Sequence, residues 1–365
     1  MTAASVAMAP FQLAVSQCPA RPRTVRSGVD LLKRRPMSTK PYDLDAPAPA
    51  AKPTAPRSSP PAVDRLSLAV PIVVTLHLVA VVLTGTAAAE HWIIDGATLL
   101  AWLAVPRLRP TLAMLMPIWA VGVLYRDIMP AALALRGSIH VADLYHAELA
   151  CFGIETAAGR VIPCELFRER HWPAVDLLLG LPYAFHHAVG TLLAICLTVY
   201  HRNRAAVFLT GYLLVHAVGF SLYVIYPAAP PWYVELYGLG PARLDAVPNA
   251  AGLGRVDDIL GIHVVRGLYA KSTNIFGAMP SLHSGLFALF PLVTWGLGLR
   301  WFIPATAVAA GIWFGAVYFQ HHYVLDVLAG IALGAACTWA AYWWHRRSES
   351  RGDVGTAPAK AETSP

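Results

Sequence analysis

Apolar and polar positions alternate in long blocks along this chain, and eight apolar runs stand out. They cover roughly 66–89, 92–105, 111–126, 174–199, 205–226, 283–298, 301–320 and 323–344. Stretches of ~17–25 mostly apolar residues match the hydrocarbon thickness of a bilayer, so each run reads as a membrane span. The second is short and carries Asp95. It reads as re-entrant or as one half of a pair with the third run, and removing that pair leaves six spans. The expected fold is therefore an all-α, polytopic membrane helical bundle of six to eight spans.

Composition supports this reading. The chain is 56% hydrophobic and 13% charged, where soluble domains carry about 25% charged residues. The formal charge of +7 then needs no nucleic-acid partner, because cytoplasmic loops concentrate lysine and arginine. "PRLRP" at 106–110, "HRNR" at 201–204, Arg300 and "HRR" at 345–347 all fall on one side of the expected bundle, together with the basic N-terminal segment. That side is expected to be cytoplasmic. The long loops 127–173 and 227–280 then lie on the lumenal or periplasmic face.

Three parts are expected. Residues 1–65 hold 11 of the 29 prolines and ten Lys/Arg against four Asp/Glu, too little apolar surface to offset ordering entropy, so they read as a disordered basic segment. A targeting peptide and a start at Met37 are both compatible with it. Residues 66–345 form the transmembrane catalytic domain, and 346–365 a polar tail. None of the five cysteines (18, 151, 164, 196 and 337) has metal-ligand spacing. Cys151 and Cys164 share a polar loop and could pair in an oxidising compartment.

Chemistry concentrates at two span mouths. "FGAMPSLHSG" at 276–285 opens one apolar run, and "QHHYVLD" at 320–326 opens another. From His283 the chain makes about 16 apolar residues, turns at Gly298-Leu299-Arg300 and returns. At ~1.5 Å per residue each leg is ~25–30 Å, one bilayer crossing, so His283 and His322 return to the same non-cytoplasmic face. Asp326 is four residues after His322 and shares its helical face. A carboxylate there would fix the imidazole tautomer and stabilise charge on the ring, leaving the other nitrogen free to attack. His283 suits the general acid that protonates a leaving oxygen. Such a set performs phosphoryl transfer without a metal or cofactor. A lone histidine at an interface is ordinarily an anchor. His77, His186, His187, His216 and His263 lack comparable neighbours in sequence and are given no catalytic role.

These residues resemble a known family. "PSLHSG" followed by "HHYVLD" is similar to the paired histidine signatures of the type 2 phosphatidic acid phosphatase superfamily, and more closely to its inositol phosphorylceramide synthase branch. "YPAAPPWYV" (226–234), "AGLGRVD" (251–257) and, more loosely, "ADLYHAELACFGI" (142–154) extend the similarity. The resemblance implies transfer of phosphoinositol from phosphatidylinositol to a ceramide-like lipid alcohol through phosphohistidine at His322, with release of diacylglycerol. The alternative is a lipid phosphate phosphatase with water as acceptor. The phosphatase pattern places Ser-Arg where this chain has Gly315 and Ala316, and no KxxxxxxRP motif precedes "PSLHSG". A phosphate monoester needs more cationic clamps than a diester, so the departure fits a diester donor. Arg255 and Lys271 are the basic loop residues expected to contact phosphate or inositol. Tyr226, Trp232 and Tyr233 are expected to pack or anchor, and "PAAPP" to stiffen a lid. A bacterial inner membrane is favoured over a Golgi membrane.

Overall fold

A computed structural model describes residues 61–157 and 159–354. Residues 1–60, Cys18 among them, and residues 355–365 lie outside the described part, so most of the expected disordered segment falls there. The helix α1 (Pro61–Leu83) begins inside the expected segment 1–65 and is followed by α2 (Ala89–Ala104), α3 (Arg109–Val123) and α4 (Met129–Leu133). A π-helical turn, Leu124–Ile128, joins the last two. The loop region holds α5 (Ala142–Phe152), a two-stranded antiparallel hairpin of β1 (Ile154–Thr156) and β2 (Gly159–Val161), and α6 (Pro163–Glu169). Then come α7 (Pro173–Ala184), α8 (His186–Tyr200), α9 (Arg202–Ile225), α10 (Pro231–Tyr237), α11 (Arg255–Leu260) and α12 (Val264–Ala270). The chain closes with α13 (Leu282–Thr294), α14 (Leu299–Tyr318) and α15 (Val324–Val354). The last of these carries the helix into the expected polar tail.

Every expected span is helical, but the lengths differ from expectation. Among the described residues, four helical stretches are long and apolar enough to cross a membrane: Pro106–Leu133, Arg202–Ile225, Leu299–Tyr318 and Val324–Ser348. Counting α7 and α8 as one broken span gives five, which supports the expected six to eight only loosely. The run 174–199 is not one straight helix, since α7 and α8 meet at a 66° bend. Pro182 lies inside α7, where a missing amide hydrogen and ring clash disrupt the helix. Stretches Leu68–Leu83 and Leu282–Thr294 are apolar but shorter.

The helix α13 is the centre of the bundle. Leu286, Phe287, Leu289, Phe290 and Val293 are all buried, while Leu292 near the far end is exposed, so this helix is apolar around most of its surface because protein surrounds most of it. It packs most closely against α15. A Cβ on Gly330 would meet the Ser281 carbonyl oxygen at 2.2 Å, and one on Gly334 would meet the Gly285 oxygen at 2.2 Å. Glycines four apart let two helix backbones approach this closely. The crossing sets the register between the starts of α13 and α15, where both histidine motifs lie. By contrast α1 and α2 expose Leu68, Ile72, Leu76, Trp92 and Ile93, an apolar surface suited to lipid.

Candidate active site

Ser281 starts α13: its Oγ accepts from the Ser284 amide at 3.2 Å, the bond expected of a helix N-cap. His283 therefore stands in the first turn. His322 precedes α15 and follows a tight reversal in which the amides of His321 and His322 both donate to the Ala316 carbonyl, at 3.1 and 3.0 Å. Gln320 takes the left-handed conformation, φ 62°, to make that reversal. The two motifs meet as expected: His283 Nδ1 lies 3.2 Å from His322 Nε2.

The tautomer of His322 follows from its neighbours. Its Nδ1 is 3.0 Å from the Ala278 carbonyl oxygen, which can only accept, so Nδ1 carries the proton. Nε2 then holds the lone pair and receives the Nδ1–H of His283. Asp326 Oδ2 is 3.5 Å from the same Nδ1 and also accepts from the Tyr323 amide at 2.9 Å. The carboxylate thus supplies charge beside the ring, while the carbonyl makes the closer hydrogen bond. The neighbouring His321 is a brace. Its Nε2–H donates to Ala250 O at 3.0 Å, and burial pushes its pKa down to about 3.

The stretches 226–234 and 251–257 hold this geometry by their backbones. Ala228 lies between two chain segments. Its amide donates to Phe276 O at 2.9 Å, its carbonyl accepts from the Ala278 amide at 3.1 Å, and the Ala229 amide donates to His140 O at 2.8 Å. "PAAPP" therefore clamps the loop that presents the Ala278 carbonyl, a more direct role than stiffening a lid. Trp232 and Tyr233 are buried against Phe276, as packing residues, and Tyr226 stacks on His140 at 3.9 Å. The Trp232 amide donates to Gln320 O and the Gly252 amide to Phe319 O, fixing the turn before His321. Ala316 is buried and Gly315 packs against Tyr183, so these positions present neither hydroxyl nor guanidinium to the site.

Three positioning residues escape sequence reasoning. Glu148 on α5 is fully buried and accepts from the Val324 and Leu325 amides at 2.8 and 3.1 Å, capping α15 just after His322. Burial is the main cause raising its pKa. It lies within the loosest of the similar stretches, and its partners are 176 and 177 residues away. Tyr183, at the bend after Pro182, stacks on His283 at 4.4 Å and 14°. His186, past the same bend, approaches His283 at 4.3 Å. The adjacent "HH" interrupting an apolar run was the available signal for it.

The two basic candidates part company. Lys271 lines a cavity of about 1300 Å³ that also includes His283, His322, His186 and Tyr223. Arg255 does not line it. Its Nε donates to the buried carboxylate of Asp176 at 2.9 Å, and its guanidinium lies over Tyr318 and Phe319. Asp257 caps α12 through the Val265 and Arg266 amides, at 3.0 and 2.9 Å. Cys151 is exposed and Cys164 buried, and both are free thiols. His263 is exposed at the start of α12.

The chain is similar to several known proteins. Phosphoinositol dihydroceramide synthase of Bacteroides thetaiotaomicron is 33% identical over 270 residues, 73% of this chain and 88% of that protein. An inositol phosphorylceramide synthase of Candida albicans is 34% identical over 163 residues, 44% of this chain and 34% of that protein. The catalytic subunit AUR1 of the Saccharomyces cerevisiae inositol phosphorylceramide synthase is 36% identical over 166 residues, 44% of this chain and 40% of that protein. No solved structure gives a significant match. Residues 154–340, which include both histidine motifs, match the PAP2 superfamily, and the chain belongs to that superfamily.

Proposed function

We propose that this protein transfers phosphoinositol from phosphatidylinositol to the hydroxyl of a ceramide-like lipid. The observation that carries this reading is the His322 ring, with Nδ1–H held by Ala278 O and the Nε2 lone pair facing His283 inside a large cavity. A separation of 3.2 Å is a hydrogen bond, so the two rings part to admit the phosphodiester. His322 Nε2 then attacks phosphorus, and the bond from phosphorus to the diacylglycerol oxygen breaks. His283, doubly protonated, now turns its Nδ1–H to that oxygen, gives up the proton and is left neutral. In the second step His283 takes the proton of the acceptor hydroxyl, the alkoxide attacks phosphorus, and the N–P bond breaks to regenerate His322. Asp326 stabilises the positive ring in between. His283, His322 and Asp326 are the catalytic residues of this proposal, and Lys271 is the cation placed to meet the donor's phosphate.

The names of the similar proteins support the donor and the sphingolipid class of the acceptor. Dihydroceramide and ceramide are the acceptors to compare first. The basic loops favour a reaction on the periplasmic or lumenal face, with a bacterial inner membrane as the leading compartment. The test is purified protein in detergent with phosphatidylinositol or phosphatidic acid, with and without each acceptor. The expected outcome is an inositol-bearing sphingolipid that depends on the acceptor, with little free phosphate. Rapid phosphate release from phosphatidic acid, with no acceptor-dependent product, would leave the phosphatase reading in its place.

A further inference from the structure

The cavity that reaches His283 and His322 continues to a second polar group on α2, α3 and the turn after α3. Glu90, His91, Arg126 and Asp127 all line it, as do Lys271 and Asn274. Arg126 and Asp127 sit on the π-helical turn Leu124–Ile128, a distortion that recurs at functional sites. Arg126 Nη1 donates to Glu90 Oε1 at 2.6 Å, and both side chains are 42% exposed. Asp127 is held from behind: His77 Nε2 lies 3.2 Å from Oδ2, and His91 Nε2 3.1 Å from Oδ1. His77 is in turn fixed by Asp95, whose other oxygen accepts from the Trp119 indole at 2.7 Å. Tyr125 and Ser272 meet at 3.3 Å and tie this end of α3 to the loop carrying Lys271.

What ligand would such a wall take? His77, His91 and Asp127 lie close enough together to suggest a metal ion, but the hydrogen bonds argue otherwise. The Ala88 amide donates to His91 Nδ1 at 3.0 Å, which places the ring proton on Nε2, the nitrogen a metal would need. Arg126 Nε, 3.2 Å from that same nitrogen, adds positive charge at the metal's position. A phosphate is equally ill suited, because the carboxylates of Glu90 and Asp127 repel an anion. A neutral polyol fits. Its hydroxyls donate to carboxylates and accept from guanidinium, ammonium and imidazole N–H groups, and this wall offers both kinds side by side.

We propose that Glu90, Arg126 and Asp127, backed by His77 and His91, hold the hydroxyls of the donor's cyclitol head group. Lys271 lines the same cavity and is the cation this reading gives to the donor's phosphate. This rests on the transferase reading and extends it, by assigning head-group choice to α1–α3 and phosphorus chemistry to α13–α15. The ring hydroxyls are remote from the bonds that change, so their contacts govern donor affinity and selection.

The experiment uses full-length His322→Ala protein in detergent, which is not expected to turn substrate over, and measures binding of glycerophosphoinositol and of glycerophosphoglycerol. The unaltered wall should prefer glycerophosphoinositol. Adding Asp127→Asn or Glu90→Gln should weaken that ligand at least about tenfold, the loss expected for a charged hydrogen bond, and leave glycerophosphoglycerol within about threefold. Glu90 is at the exposed mouth, so its substitution does not threaten the fold. Equal binding of the two ligands, or unchanged glycerophosphoinositol affinity in both variants, overturns the proposal. Wild-type protein that binds glycerophosphoinositol selectively yet makes no inositol-bearing sphingolipid would instead overturn the transferase reading and leave this one standing.

Discussion

His322 and Asp127 line the same cavity, but different forces hold them there. Around His322 the decisive partners are backbone groups: the Ala278 carbonyl, the Ala316 carbonyl, and the Ala228 amide and carbonyl that fix residues 276–278. Around Asp127 they are side chains, His77 from α1 and His91 from α2. The first wall belongs to the main core, with α13 buried along most of its length. The second belongs to a smaller group in which Val70, Val74 and Ala113 form the buried cluster. A reaction centre has to be held to a fraction of an ångström, and backbone bonds within a packed core supply that precision. A head-group wall needs a matching set of donors and acceptors, which side chains supply and evolution can exchange.

The comparison predicts that damage to the first wall stops the reaction while damage to the second changes its donor. The largest effect is expected for His322→Ala. Loss of the nucleophile should reduce transfer below about a thousandth of wild type, on the scale of nucleophile removal in covalent enzymes. The ring sits at a helix mouth, so insertion and thermal unfolding in detergent should change little. A purified variant retaining a tenth of the activity would remove His322 from the reaction.

Asp326→Asn comes next. An amide oxygen can still accept from the Tyr323 amide, so the local fold survives, but the charge 3.5 Å from His322 Nδ1 is gone. Because Ala278 O still holds the tautomer, the loss should be about 10²-fold in kcat. That is milder than the ~10⁴ of the corresponding change in serine proteases, where the carboxylate itself orients the ring. A loss near 10⁴ would mean that Asp326, and not the carbonyl, sets the tautomer.

These two walls also differ in how far they were legible. The convergence of His283, His322 and Asp326 was readable because their spacing survives helix geometry. The Ala278 carbonyl was not, since any residue at that position offers the same oxygen. Helix positions followed from the apolar runs, yet the 66° bend at α7–α8 was missed although Pro182 was in view. Its consequence is tertiary: it delivers Tyr183 and His186 to His283. The Asp127 cluster was invisible for a related reason. His77 was set aside as lacking company, but its partners Asp95 and Asp127 lie 18 and 50 positions away. Asp95 had been noticed only as a charge that weakened a span.

Glu148 tests whether the first wall extends beyond its motifs. Glu148→Gln keeps one acceptor for the α15 amides and turns an NH₂ toward the other, leaving a buried donor unmet. A cost of about 1–3 kcal/mol follows. If part of it appears as a shift of His322, kcat should fall about tenfold with KM unchanged, and Glu148→Asp should not rescue it because the shorter chain cannot reach both amides. An unchanged kcat with a lowered unfolding temperature would make Glu148 a purely structural cap.

Arg255 should give the smallest effect on donor binding, although sequence placed it beside Lys271 as a substrate contact. Its guanidinium is committed to Asp176, a buried carboxylate that also lies 3.3 Å from His171 Nδ1, and it stacks on two aromatic rings. Replacing it by lysine keeps the charge but loses the planar fork and the stacking. The expected result is a lower unfolding temperature, with KM for phosphatidylinositol within about twofold of wild type. Lys271→Met should behave in the opposite way, because Lys271 lines the cavity: KM should rise about tenfold, the worth of one charge-assisted hydrogen bond to phosphate, with stability intact. Steady-state kinetics and thermal unfolding on the two variants decide the assignment together. If Arg255→Lys raises KM tenfold at unchanged stability, the Arg255–Asp176 pair must open when donor binds, and the cavity has a third wall that this pair covers.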